Sequence, residues 1–203
     1  MDQSEFERWE SRFAEPGYLF GTAPNDFLKA QVHLLPKKGS VLSIADGEGR
    51  NGVFLAEQGL DVLSVDFSPS AQEKVHKLAS ERGVDIRTEQ ADIIHWRWPE
   101  AAFDVVAAIF FQFVDPPERD KIFAGIKKTL KPGGLLLLEG YRPEHIKNDS
   151  GGPRTPERCY TRALLEHAFE DFASLDIREY DTELAEGTRH VGRSALIDLV
   201  ARK

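Results

Sequence analysis

The chain has 203 residues, of which 41% are hydrophobic and 30% charged, with a formal net charge of −8. That profile fits one soluble globular domain over 1–203 with a sizeable core and excludes a disordered chain, while the acidic balance argues against a nucleic-acid partner. The lone cysteine, Cys159, allows no internal disulfide, and the absence of CxxC or His/Cys ligand spacing argues against a metal site.

In chain order, the N-terminal "MDQSEFERWESRF" is charged and lacks the apolar run of a signal peptide. No apolar run nears the ~20 residues that span a bilayer. The expectation is a reducing, cytoplasmic setting with no membrane partner. Residues 1–39 read as an irregular, aromatic-rich cap segment, with a helix over 27–35. "SVLSIA" (40–45) is a strand, "RNGVFLAEQ" (50–58) a helix closed by Gly59, and "DVLSVDF" (61–67) a second strand. Ser68 caps a helix with Pro69 in its first turn, Ala71, Val75, Leu78 and Ala79 on one face, and Gly83 at its end.

A third strand is expected over 84–92 and a fourth, apolar throughout as buried parallel strands are, over 103–111. A helix follows Asp115, with Lys127, Lys128 and Lys131 at its end and Pro132-Gly133-Gly134 as its stop. "LLLLEGY" (135–141) is the fifth strand. Residues 142–160 form a long polar connection, a length that marks function or mobility. A helix (161–169) and two strands (near 175–184 and 193–201) finish the chain. With no helix between them, the last two must include an antiparallel strand. The pattern predicts an α/β fold with a mainly parallel, Rossmann-like sheet.

Open α/β sheets bind ligands beyond the carboxyl ends of their strands, where strand order reverses. That places a ligand at "ADGEGRNG", where Gly47 and Gly49 permit a sharp turn and close backbone approach. Asp46 and Glu48 would repel a pyrophosphate, but they suit a cationic ligand. Opposite charges about 4 Å apart attract by about 4 kcal/mol at an effective dielectric near 20, before desolvation. S-adenosylmethionine, with an ammonium, a sulfonium and no phosphate, matches that demand. Asp66, ending the second strand, is placed for ribose hydroxyls, with Phe67 against adenine and Ser68 beside it. Asp92, flanked by Ala91 and Ile93, is placed for the adenine amino group. Asp66 serves NAD equally, and Gly47, Gly49 and Gly52 formally match a dinucleotide fingerprint. A nicotinamide-dependent oxidoreductase is therefore one alternative.

"VLSIADGEGRNGVFLA", "VLSVDFS", "QADI", "FDVVAAIF" and "LKPGGLLLLEG", in that order, resemble the class I S-adenosylmethionine-dependent methyltransferases. The N-terminal "WESRFAEPGYLFGTAPNDFL" resembles small bacterial tellurite-resistance and thiopurine methyltransferases. The resemblance implies a seven-stranded sheet with an antiparallel last strand, and S-adenosyl-L-methionine held by Ala45, Asp46, Gly47, Glu48, Gly49, Asn51, Asp66, Phe67, Ser68, Ala91, Asp92, Ile93, Ile109 and Phe110. The family usually has an acid where this chain has Ser43, and a glycine where it has Ala45. Asp46 or Glu48 is then expected to replace the missing carboxylate. Those departures also keep open a non-catalytic S-adenosylmethionine-binding protein.

The acceptor is expected to be a small molecule with an S, Se, Te, O or N nucleophile, and the sequence sets no oligomeric state. Alignment supplies most of the catalysis in such a displacement, and a base is needed only when the acceptor must lose a proton. Three segments are placed to close over the site: the aromatic N-terminal stretch, the 141–160 connection and the 186–193 turn. They nominate Tyr18 and His190 for chemistry, and Phe20, Tyr141, Arg142 and Arg193 for the acceptor.

Overall fold

The computed structural model describes residues 3–148 and 150–203. Residues 1–2 of the expected cap and Asp149 of the polar connection lie outside it. Strands β1 (Ser40–Ile44), β2 (Asp61–Asp66), β3 (Arg87–Gln90), β4 (Phe103–Ile109), β5 (Leu130–Tyr141), β6 (Ser174–Glu186) and β7 (His190–Arg202) form one sheet in the order β3-β2-β1-β4-β5-β7-β6. β1 to β5 pair in parallel, and β7 runs antiparallel to both its neighbours. The expected Rossmann-like, mainly parallel sheet is therefore present. Strand order reverses between β1 and β4, which puts the switch point beside the turn after β1.

Alternate strand residues feed two cores. Leu42, Ile44, Val65, Val106 and Leu136 face helices α5 (Pro116–Thr129) and α6 (Arg162–Ala168), while Val41, Val62, Val105 and Leu137 face α2 (Asp26–Ala30) and α3 (Arg50–Glu57). Helix α4 (Pro69–Arg82) packs Val75, Leu78 and Ala79 against Val53 of α3. Its ends follow the sequence signals: the Ser68 hydroxyl accepts from the Ala71 amide, and Gly83 ends it in the left-handed region.

The structure differs from the expectations in four places. The N-terminal segment is not irregular: Gln3–Ala14 form helix α1, whose Phe6, Glu10 and Phe13 repeat at helical spacing toward the protein. The expected 27–35 helix is the short α2 followed by a 3-10 turn, Val32–Leu34. β3 begins only at Arg87, because Val84 and Ile86 turn into the apolar space around α3 and α4. Helix α5 ends at Thr129, and Lys131-Pro132-Gly133-Gly134 belong to β5. There the register against β4 shifts between Phe103 and Val105, a bulge that the proline and glycines accommodate.

β6 and β7 continue past the end of β5. Tyr141 pairs with Leu196, so residues 190–195 and their β6 partners form a two-stranded ribbon beyond the sheet. Its tip meets the N-terminal segment, where the Thr188 amide donates to the Leu19 carbonyl (3.0 Å). A Cβ on Gly187 would lie 2.4 Å from that same carbonyl oxygen.

Core packing has one especially tight point. A Cβ on Gly125 of α5 would stand 2.2 Å from the Trp98 ring. Gly125→Ala is expected to lower stability by about 1–3 kcal/mol through overpacking, seen as a lower urea midpoint at unchanged m-value.

Candidate functional site

The turn after β1 is built from residues in the left-handed region: Ala45 (φ 46°), Gly47 (φ 57°) and Gly49 (φ 85°). Ala45 takes this conformation without glycine's freedom, at a cost of roughly 1 kcal/mol or more. What over-determines the turn is Asp46. Its carboxylate points inward and accepts from the Ser43 hydroxyl (2.7 Å), the Ser64 hydroxyl (2.7 Å) and the Gly52 amide (3.2 Å). A Cβ on Gly52 would lie 2.3 Å from that carboxylate, so the glycine lets α3 sit directly above it. Burial pushes the Asp46 carboxyl above its ordinary range, against the pull of these hydrogen bonds.

Asp66, at the carboxyl end of β2, accepts from the Gly47 amide (2.9 Å) and the Ser68 amide (3.0 Å). It is 3% exposed, and burial pushes its carboxyl up to about 6. The Ala91 amide donates to its main-chain carbonyl, which brings the end of β3 alongside. Asp92 caps the next turn through the Ile94 amide and pairs with His95 (2.8 Å). Helix α1 lies across this edge. The Phe13 ring is 3.3 Å from where a Gly47 Cβ would be, Phe6 packs on Phe67 at 5.6 Å between centroids, and Glu10 accepts from the hydroxyls of Ser68 and Ser70.

Glu48 is buried and fully engaged. It accepts from the Leu19 amide (2.6 Å) and pairs with Lys74 of α4 (2.7 Å), whose ammonium also reaches the Glu15 carbonyl. The two turn acids expected to face a cationic ligand therefore face protein instead. Asp46 closes the turn from beneath, and Glu48 fastens the N-terminal segment to α4.

On the other side of the switch point lies a second cluster. Phe110 (φ 55°) turns away from the end of β4, stacks on Tyr141 (4.8 Å) and meets the His190 ring edge-on (4.8 Å). Phe20 lies 4.4 Å from His190, centroid to centroid. Glu186, at the end of β6, pairs with Arg50 of α3 (2.9 Å) and with His190 Nδ1 (3.1 Å). Asn25 donates to Glu186 (3.1 Å) and to the buried Glu139 of β5, and its own amide donates to Asn51 (3.0 Å). Glu139 lies opposite Asp198 of β7, with the Tyr180 hydroxyl between them. Burial, then the neighbouring carboxylate, raises Glu139 well above its usual range.

Several nominated residues fall elsewhere. Tyr18 packs beside α3 and α4, its hydroxyl on the Lys74 carbonyl, and shares no contact with His190. Arg142 and the exposed Arg193 both hold Asp181 at the base of the ribbon, where it leaves the sheet. Ile93 and Ile109 are buried in the two sheet cores. Phe20, Phe110, Tyr141 and His190 do come together. Glu186, Arg50, Asn25 and Glu139 join them without having been nominated. Only the run "EGTRH", with an acid four residues before a histidine across a glycine turn, pointed to such a pairing. Among the described residues there is no cluster able to hold a metal, and no helix long and apolar enough to cross a membrane.

Residues 41–134 match the family model described as "Methyltransferase domain". The chain is 31% identical over 110 residues to the demethylmenaquinone methyltransferase of Thermus thermophilus, covering 53% of this chain and 49% of that protein. It is 33% identical over 126 residues to the glycine/sarcosine N-methyltransferase of Parasynechococcus marenigrum, covering 58% and 43%. The chain thus spans about half the length of the curated relatives it matches. Among solved structures, TehB of Haemophilus influenzae superposes with a TM-score of 0.69 at 18% identity, covering 98% of this chain and 67% of that one. NodS of Bradyrhizobium japonicum, solved with S-adenosyl-L-homocysteine, gives 0.69 at 14% identity, covering 97% of each. At such identities the likeness is one of fold. The matched segment is similar to methyltransferase domains, and the fold is one that solved methyltransferases share.

The Glu48–Lys74 pair ties the N-terminal segment down. Removing one partner of a buried pair typically costs about 3–5 kcal/mol. Lys74 keeps some exposure, so Glu48→Ala is expected to cost about 2–4 kcal/mol in urea denaturation. It should also speed tryptic cleavage at Arg8 and Arg12; unchanged cleavage would contradict the fastening role.

Proposed function

We propose that the chain binds S-adenosyl-L-methionine at the carboxyl ends of β1, β2 and β3 and methylates a small-molecule acceptor. The observation that carries this reading is Asp66. A buried carboxylate ends β2 next to the switch point, its two oxygens set by the Gly47 and Ser68 amides of the adjoining turns. Such a carboxylate suits the two hydroxyls of a ribose. Phe67, with the part-exposed Ala91 and Asp92, flanks the space expected for adenine. Both turn acids already have protein partners, which leaves the part-exposed Ala45 and Phe110, just beyond the ends of β1 and β4, to hold the amino-acid portion.

When bound, S-adenosylmethionine supplies a methyl group already activated on sulfur. The residues around Phe20, Phe110 and Tyr141 then have to orient an acceptor and exclude water, and orientation alone supplies up to about 7–11 kcal/mol in favourable cases. An aromatic-lined acceptor end favours a small molecule with an apolar portion over a bare oxyanion. Kinship with the tellurite-resistance and thiopurine enzymes rests on the N-terminal motif alone. A cytoplasmic location is part of the same proposal.

Calorimetry with S-adenosylmethionine, S-adenosylhomocysteine and NAD tests the reading: the first two should bind and the third should not. Ribose hydroxyls donate to a carboxylate, so binding favours ionised Asp66, whose free carboxyl sits at about 6. Affinity should therefore fall as pH drops below about 6, approaching tenfold per pH unit, with a proton released on binding there. Asp66→Asn should weaken binding at pH 8 by roughly tenfold or more and abolish the pH dependence. A pH-independent affinity in the native protein would contradict the ribose assignment.

A further inference from the structure

The His190 ring is held in one orientation. It lies between Phe20 and Phe110, and a Cβ on Gly151 (φ 99°) would come within 3.2 Å of its Cδ2, so the long connection packs against the ring edge. Among the described residues its hydrogen bond is to Glu186, through Nδ1. Glu186 is itself fixed by the Arg50 guanidinium and the Asn25 amide. Burial alone would raise the Glu186 carboxyl, but His190 and Arg50 outweigh it and bring it down to about 2, so it is an anion. An anion at Nδ1 requires a proton there. The neutral ring, favoured by burial despite Glu186, then carries its lone pair on Nε2. The nearby Tyr141 hydroxyl is buried and has no hydrogen-bond partner among the described residues. Burial, with Glu186 and Glu139, keeps it protonated, so it acts as a donor. A lone pair on Nε2 and an unmatched buried donor on a neighbouring ring are what a protic ligand satisfies.

We propose that His190 Nε2 is the base for an acceptor that carries a proton on its nucleophilic atom, a hydroxyl, thiol or ammonium group. Glu186, set by Arg50 and Asn25, is the positioning residue that fixes its tautomer, and Tyr141 donates to the acceptor. The inference rests on the methyltransferase reading. In the step itself the acceptor's X–H bond breaks and the proton passes to Nε2, while the electron pair left on X bonds the methyl carbon as that carbon's bond to the sulfonium sulfur breaks and the sulfur keeps the pair, leaving as a neutral thioether. The imidazolium so formed is stabilised by Glu186 and later loses its proton to water. A tellurium or selenium oxyanion would leave this machinery unused. The charged or titratable groups facing His190 are Glu186 of β6, Arg50 of α3, Tyr141 of β5 and His145 of the 142–160 connection.

Long-range 1H–15N NMR on the full-length, 15N-histidine-labelled protein reads this directly, with His190→Gln assigning the signal. At pH 7.5 His190 should be neutral and protonated at Nδ1. In Glu186→Gln, which keeps a hydrogen-bond acceptor, its titration should move down by about one pH unit or more, because the stabilising anion is gone. An unmoved titration in that variant would overturn Glu186 as the group that sets the ring. An Nε2-protonated or charged His190 at pH 7.5 in the native protein would overturn the base assignment. Calorimetry with S-adenosylmethionine on the same samples separates the two levels: its failure would overturn the methyltransferase reading, whatever the tautomer.

Discussion

A buried aspartate under a left-handed turn holds the rest of the site in place. Asp46 gathers the hydroxyls of Ser43 and Ser64, from adjacent strands β1 and β2, and the Gly52 amide of α3. Two strands and a helix are thereby fixed to one carboxylate at the switch point. With that anchor in place, Ala45 can stay in a conformation that alanine avoids, and the Gly47 amide is aimed at Asp66. Ser43, at the position where the resemblance leads one to expect an acid, donates its hydroxyl to Asp46. Backbone strain at Ala45 and at Phe110, on the two sides of the switch point, is the kind a packed functional site sustains.

Around that turn, buried charges act as fasteners between distant segments. Glu48 and Lys74 hold the chain near Leu19 to α4, Arg50 and Glu186 hold α3 to the ribbon, and Asn25 joins Glu139 to Glu186. In a low-dielectric setting each such group depends on its partners, so the ribbon, the N-terminal segment and the turn hold together as a unit. On one side of these fasteners lie the strand ends bearing Asp66 and Asp92, and on the other the aromatic rings around His190.

The parallel sheet, the Ser68 cap, the Gly83 stop and the terminal antiparallel pair were legible because they depend on local signals: apolar runs, a capping hydroxyl, a left-handed glycine. Helix α1 was not, because its stripe of Phe6, Glu10 and Phe13 lies among aromatic and charged residues and gains meaning only where α1 meets Ser68 and Gly47. The Pro-Gly-Gly run read as a helix stop, yet it lies inside β5 as a bulge, a choice made by pairing with β4. At the site, the positions of Asp66 and His190 followed from strand ends and turns. The direction in which Asp46 and Glu48 point did not, since it is set by Ser64 and Lys74, 18 and 26 residues away. The charge argument identified a ligand edge for a reason the side chains do not satisfy.

The central claim is that an adenosine-bearing ligand without a diphosphate sits on the turn after β1 and the end of β2. Titration of 15N-labelled protein with S-adenosylhomocysteine, followed by amide chemical shifts, tests it most directly. The account predicts saturable shifts at Gly47, Gly49, Ser68 and Asp92, with smaller ones on α1. Shifts confined to another face of the sheet, or none at millimolar ligand, would contradict it.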